Sequence, residues 1–104
     1  MSVRNLDAQE VARLLNEDSI VLVDVREPYE FAAERIAGAV SFPLSQFSVQ
    51  ALPGKKGKAI VFQCAAGSRS ARAVAACQHA GLTHDSHLKG GLQAWKAAGL
   101  PVQR

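Results

Sequence analysis

The sequence predicts an α/β fold with a central parallel sheet and helices on both faces. The runs Ile20-Val21-Leu22-Val23 and Ala59-Ile60-Val61-Phe62-Gln63 are continuously apolar or nearly so, as strands buried on both sides are. Segments with helix signals alternate with these runs and with two shorter strand candidates, at 40–42 and 84–88. Two polar clusters, Asp24-Val25-Arg26 and the stretch that begins at Cys64, follow the carboxyl ends of strands, where open α/β sheets bind ligands.

A chain of 104 residues has the commonest domain size, so residues 1–104 are expected to form one domain. With 48% hydrophobic and 20% charged residues the composition is that of a globular protein, not of a disordered or collagenous chain. No apolar run nears the ~20 residues of a membrane helix. The net charge of +3 is mild, and Lys55-Lys56-Gly57-Lys58 reads as a solvated loop, so neither nucleic acid nor membrane is an expected partner. Two cysteines make no disulfide framework, and the N-terminus carries no apolar signal core. The expected location is the cytoplasm.

Each element has its own signals. Asp7 and Glu10 have the spacing of a capping box, Leu6 and Val11 that of a hydrophobic staple, and Asn16 ends this first helix. Residues 20–23 form the first convincing strand. Pro28 suits the first turn of a second helix, over 29–35. Residues 40–42 are a brief strand, 44–52 a weak helix, and Pro53-Gly54 a turn. Residues 59–63 form the next strand. An Ala-rich helix runs over 70–80 and closes at Gly81. Residues 84–88 make the last of four convincing strands. Gly90-Gly91 opens a final helix over 92–98, which Gly99 ends before Pro101.

Cys64 stands between a buried strand and a helix, in the loop Cys64-Ala65-Ala66-Gly67-Ser68-Arg69. Small side chains let such a loop curl its N–H groups into a nest, and the helix N-terminus adds to the anion site. The same field favours a thiolate. A helix terminus contributes about 0.3–1 kcal/mol, up to ~2, and one pKa unit is about 1.4 kcal/mol. The dipole therefore lowers a thiol pKa by roughly one unit, and Arg69 adds to this. That brings a thiol from its usual ~8.5 toward neutrality.

Three stretches now stand together: Asp24-Val25-Arg26-Glu27-Pro28-Tyr29-Glu30-Phe31 with Ile36-Ala37-Gly38-Ala39; the loop from Cys64 to Ser70; and Gly90-Gly91-Leu92-Gln93-Ala94-Trp95 with Ala98-Gly99-Leu100-Pro101-Val102. In these the chain resembles the single-domain rhodaneses, which are sulfurtransferases. The resemblance implies a rhodanese-like three-layer fold with about five strands. It implies a ping-pong reaction in which Cys64 takes a sulfane sulfur from thiosulfate or a persulfide and becomes a persulfide itself. A thiophilic acceptor, whether cyanide, a thiol or a protein cysteine, then removes the sulfur. The N–H groups of Ala65, Ala66, Gly67, Ser68 and Arg69 would cradle the donor, and Arg69 would help to bind a small anionic one. No metal or organic cofactor is called for, and no general acid is required, because sulfite leaves thiosulfate as a stable anion that needs no proton. A nucleophile activated by fields rather than by a base is a recognised route.

The chain departs from the family at Glu34-Arg35-Ile36-Ala37, where Gly-His-Ile-Pro is frequent. It also has Ala65 and Ala66 where some thiosulfate-using members carry basic residues. This questions thiosulfate as the natural donor. A cysteine phosphatase or arsenate reductase on the related fold is one alternative. Those use five residues between Cys and Arg where this chain has four, and a His where this chain has Gln63. A rhodanese-like binding or regulatory module is the other, and such modules usually lack the cysteine.

The remaining candidates are read as structural. Asp24 and Arg26 suit an ion pair at the strand end, with Arg26 facing the site as the accessory alternative. Cys77 and Trp95 suit the core, and Arg72 suits a solvated position. His79, His84 and His87 lack metal spacing and suit surface or capping positions.

Overall fold

Among the residues described by the computed structural model, 3–104, five strands form one fully parallel sheet. In chain order the elements are β1 (Arg4–Leu6), α1 (Ala8–Asn16), β2 (Ile20–Asp24), α2 (Pro28–Ala33), β3 (Val40–Ser41), β4 (Ala59–Gln63), α3 (Ser68–His79), β5 (Ser86–Leu88) and α4 (Gly91–Ala97). The strand order is β1-β5-β4-β2-β3, so β2 and β4 lie inside the sheet. They pair from Ile20 with Ala59 to Asp24 with Gln63. Both are inside, and both were the apolar runs visible in the sequence.

Successive residues of a strand point to opposite faces, and two cores follow from that. Ile20, Leu22 and Val61 join Leu6, Val11, Leu88, Leu92 and Trp95 on the face covered by α1 and α4. Val21, Val23, Ile60 and Phe62 join Ala73, Val74 and Cys77 of α3 on the other face, and Cys64 closes that cluster. Cys77 and Trp95 are thus core residues, as expected. The capping box on α1 forms in both directions: Asp7 Oδ1 accepts the Glu10 N–H at 2.8 Å, and Glu10 Oε1 accepts the Asp7 N–H at 3.1 Å. The staple residues Leu6 and Val11 are both buried.

Several expectations need correction. The fifth strand is β1, which the residue pattern did not reveal, because only Leu6 of its three residues is buried. The weak helix over 44–52 is two 3-10 turns, Leu44–Gln46 and Val49–Ala51, separated by extended Phe47 and Ser48. Phe47 packs between Phe42 and Phe62, with ring centroids 5.5 and 5.9 Å apart, and this breaks the helical path. Helix α2 stops at Ala33 instead of 35, because Arg35 pairs with Gln103 through two backbone hydrogen bonds. His87 is not at the surface but 6% exposed. Among the described residues no helix is long and apolar enough to cross a membrane.

Candidate active site

Strand β4 runs straight into the site. Its last residue, Gln63, is fully buried and its amide donates to the Cys64 carbonyl at 2.7 Å. The chain then turns through Ala65 and Ala66 to Gly67, whose φ of +107° caps α3. Gly67 has no side chain to cap the helix, and the sulfur of Cys64 takes that place. Cys64 Sγ accepts the N–H of Gly67 at 3.0 Å and the N–H of Ser70, in the first turn of α3, at 3.3 Å. The Ser70 hydroxyl lies 3.5 Å from the same sulfur.

These contacts govern the thiol. Burial is the largest single influence on Cys64 and pushes its pKa up. The Ser70 hydroxyl and the N–H groups of Ser70, Gly67 and Ala66 together outweigh burial, and the net shift is downward. Cys77 feels burial alone, and its pKa is raised. Iodoacetamide is therefore expected to label Cys64 with a midpoint below that of a free thiol and to leave native Cys77 unlabelled near pH 7. Peptide mapping of the labelled protein checks this; equal labelling of both thiols would contradict it.

Arg69 points across to α2. Its two terminal nitrogens hold both oxygens of Glu30, at 2.6 and 3.0 Å. The Arg69 guanidinium is the main cause that holds the Glu30 carboxyl down to about 2. The ion pair is present above the ordinary Glu range and is lost only as the pH falls toward about 2. Glu30 was not singled out as a site residue in the sequence; its signal was the position two residues after Pro28 in a helix that begins at a strand's carboxyl end.

Asp24 and Arg26 form a buried pair, with Arg26 Nη2 2.8 Å from Asp24 Oδ2 and both side chains 4% exposed or less. The other Arg26 donors go to the Asp24 carboxylate and to the carbonyls of Glu30 and Glu34. The pair ties the end of β2 to α2 and leaves Arg26 little to offer a substrate. Arg72 is exposed on α3.

The start of α4 completes the loop. The N–H of Leu92 donates to the Cys64 carbonyl at 2.8 Å, and that of Gln93 to the Ala65 carbonyl at 3.0 Å. A Cβ on Gly91 would lie 2.3 Å from the Cys64 oxygen, so only glycine permits this approach. The Gly-Gly pair of the sequence is therefore part of the loop's support.

The sequence model of the rhodanese-like domain matches residues 7–98. The chain belongs to the rhodanese-like domain family. A sulfurtransferase of Allochromatium vinosum is 31% identical to this rhodanese domain over 96% of the chain and 94% of its own length. An uncharacterised protein of Synechocystis is 46% identical over 86% of the chain, and the match spans half of that protein's length. The crystal structure of a thiosulfate sulfurtransferase from Pseudomonas aeruginosa superposes with a TM-score of 0.86 at 25% identity, over 98% of this chain and 20% of that one. The expected family and three-layer parallel fold are thus established.

Proposed function

We propose that the protein is a sulfurtransferase in which Cys64 carries the sulfur as a persulfide between a sulfane donor and a thiol acceptor. The observation that carries this reading is the position of Cys64 Sγ against the N–H groups of Gly67 and Ser70, which stabilise a thiolate and, after attack, a persulfide anion. The thiolate attacks the outer sulfur of the donor; the donor's S–S bond breaks and its electron pair leaves with sulfite or a thiolate. The acceptor thiolate then attacks the outer persulfide sulfur and Cys64 leaves as thiolate. The sulfurtransferase relative that matches over nearly its whole length supports the same reading.

A thiol persulfide is the favoured donor over thiosulfate. Ala65 and Ala66 bring no charge, and Glu30 neutralises Arg69. The same clamp argues against phosphatase chemistry, because the guanidinium fork that a tetrahedral phosphate needs is already held. Glu30→Gln is expected to raise kcat/KM for thiosulfate about three- to tenfold, roughly the effect of 1 kcal/mol of added anion attraction, with a smaller change for glutathione persulfide. Steady-state assays with the two donors check it; an unchanged ratio would remove the clamp from donor choice.

Intact-mass spectrometry tests the reading itself. One added sulfur after incubation with glutathione persulfide or thiosulfate, removed by cyanide and absent in Cys64→Ser, is the expected result. No added sulfur from either donor would overturn it.

A further inference from the structure

A line of hydrogen bonds, buried at Ser70 and His87 and ending at exposed Asn5, leads away from Cys64 through three further elements. Ser70 Oγ on α3 lies 3.5 Å from Cys64 Sγ and 2.7 Å from His87 Nδ1 on β5. His87 Nε2 lies 2.7 Å from Asn5 Oδ1 on β1. Ser70 is fully buried and His87 is 6% exposed. The loop packs on the ring: a Cβ on Gly67 would come within 3.9 Å of His87 Cε1.

The chemistry of the atoms sets the direction of each bond. An amide oxygen only accepts, so His87 Nε2 carries the hydrogen that it shares with Asn5. In the neutral ring Nδ1 is then a lone pair, and at 2.7 Å it is a nearer acceptor for the Ser70 O–H than the Gly67 carbonyl at 3.2 Å. Ser70 Oγ is left to accept from the Cys64 thiol. We propose that Ser70 and His87 form a proton relay for Cys64, with Asn5 setting the tautomer. The Cys64 S–H proton moves to Ser70 Oγ as the Ser70 proton moves to His87 Nδ1. The products are a thiolate and an imidazolium, and the Ser70 hydroxyl, now fed by Nδ1–H, donates to the sulfur. No proton or electron enters or leaves the set until the imidazolium returns its proton to sulfur or releases it to water. His87 acts through Ser70 and is a positioning residue.

Burial holds the His87 pKa below its usual value, so the ring is neutral and ready to accept near pH 7. Arg69 of α3 is a charged group that couples to Cys64, and Glu30 of α2 holds it in turn. Gln63, on β4, is neutral. Arg4 on β1 and Asp85 and Lys89 beside β5 flank the strand pair; Arg4 and Lys89 are exposed, and Asp85 accepts the Ser86 hydroxyl.

The inference rests on Cys64 as the reacting thiol, but its test reads proton position rather than sulfur transfer, so the two readings fail separately. The rate of iodoacetamide labelling of Cys64 against pH gives the thiol midpoint. His87→Asn and Ser70→Ala are each expected to raise it by about one unit, and the double variant by no more than the larger single shift, because the groups act in series. Ser70→Thr, which keeps the hydroxyl, is expected to stay near wild type. A role in packing alone would lower the melting temperature and leave the midpoint in place, and that result overturns the relay. Nitrogen-15 NMR of His87 needs no folded variant at these positions. The wild-type ring is expected to show the Nε2–H tautomer and to change with pH at the Cys64 labelling midpoint, a change lost in Cys64→Ser. An Nδ1–H tautomer, or a titration indifferent to Cys64, also overturns it.

Discussion

Cys64→Ser is expected to abolish sulfur transfer, by more than about 10³-fold, while the protein stays folded. A hydroxyl ionises far above neutral pH, and an oxygen cannot carry the sulfane sulfur as a persulfide. Serine is small enough for the site and still offers an oxygen to the N–H groups of Gly67 and Ser70, which Cys64 Sγ accepts at 3.0 and 3.3 Å. The cap on α3 is therefore kept in kind. Circular dichroism should match wild type, and the melting temperature should shift by no more than about 4–8 °C, the effect of ~1 kcal/mol in a domain of this size. Turnover that survives in this folded variant would end the assignment of Cys64 as the sulfur carrier.

Gly91→Ala is the largest structural effect expected. Its Cβ would meet the Cys64 oxygen at 2.3 Å, the Ala65 carbonyl carbon at 2.6 Å and the Ala65 oxygen at 2.7 Å. All three are backbone atoms, so no side-chain rotation relieves the clash. The φ of +59° adds conformational strain. Relief requires α4 to move off the loop and to give up the bonds from the N–H groups of Leu92 and Gln93 to the Cys64 and Ala65 carbonyls. Overpacking costs about 1–3 kcal/mol, and each lost hydrogen bond about 1 kcal/mol. A loss of roughly 3–5 kcal/mol lowers the melting temperature by about 12–40 °C. Gly99→Ala is the control: its φ is +77°, yet a Cβ there meets nothing within 4 Å. It should lose only about 1 kcal/mol from backbone strain. Equal losses at both positions would show that the close approach to the loop is not what Gly91 provides. Labelling of Cys64 in Gly91→Ala, measured below the new melting temperature, should also lose its low midpoint, because the loop carbonyls no longer hold the nest in shape.

Strands β2 and β4 were legible because burial on both faces leaves a nearly continuous apolar run, as in Ile20–Asp24 and Ala59–Gln63. The α1 cap was legible because a capping box lies within four residues. Strand β1 was not, because Arg4–Leu6 carries one buried side chain and its partner β5 lies some eighty residues away. Helix α2 read two residues too long for a similar reason, since the partner of Arg35 is Gln103 at the far end of the chain.

Sequence alone determined the local chemistry of the site: a cysteine at a strand's carboxyl end, a small-residue loop, and a helix behind it. Those features lie within a few residues of one another, and their spacing is enough to imply a nest of N–H groups. The tertiary structure decided what surrounds the thiol. Whether Arg69 is free or clamped depends on Glu30, brought over from α2. His87, which has no motif of its own, reaches Ser70 and Asn5 only because β5 lies against β1 and close to α3. Pairings between elements so distant in the chain are set by sheet order and packing, and no local pattern of residues encodes them.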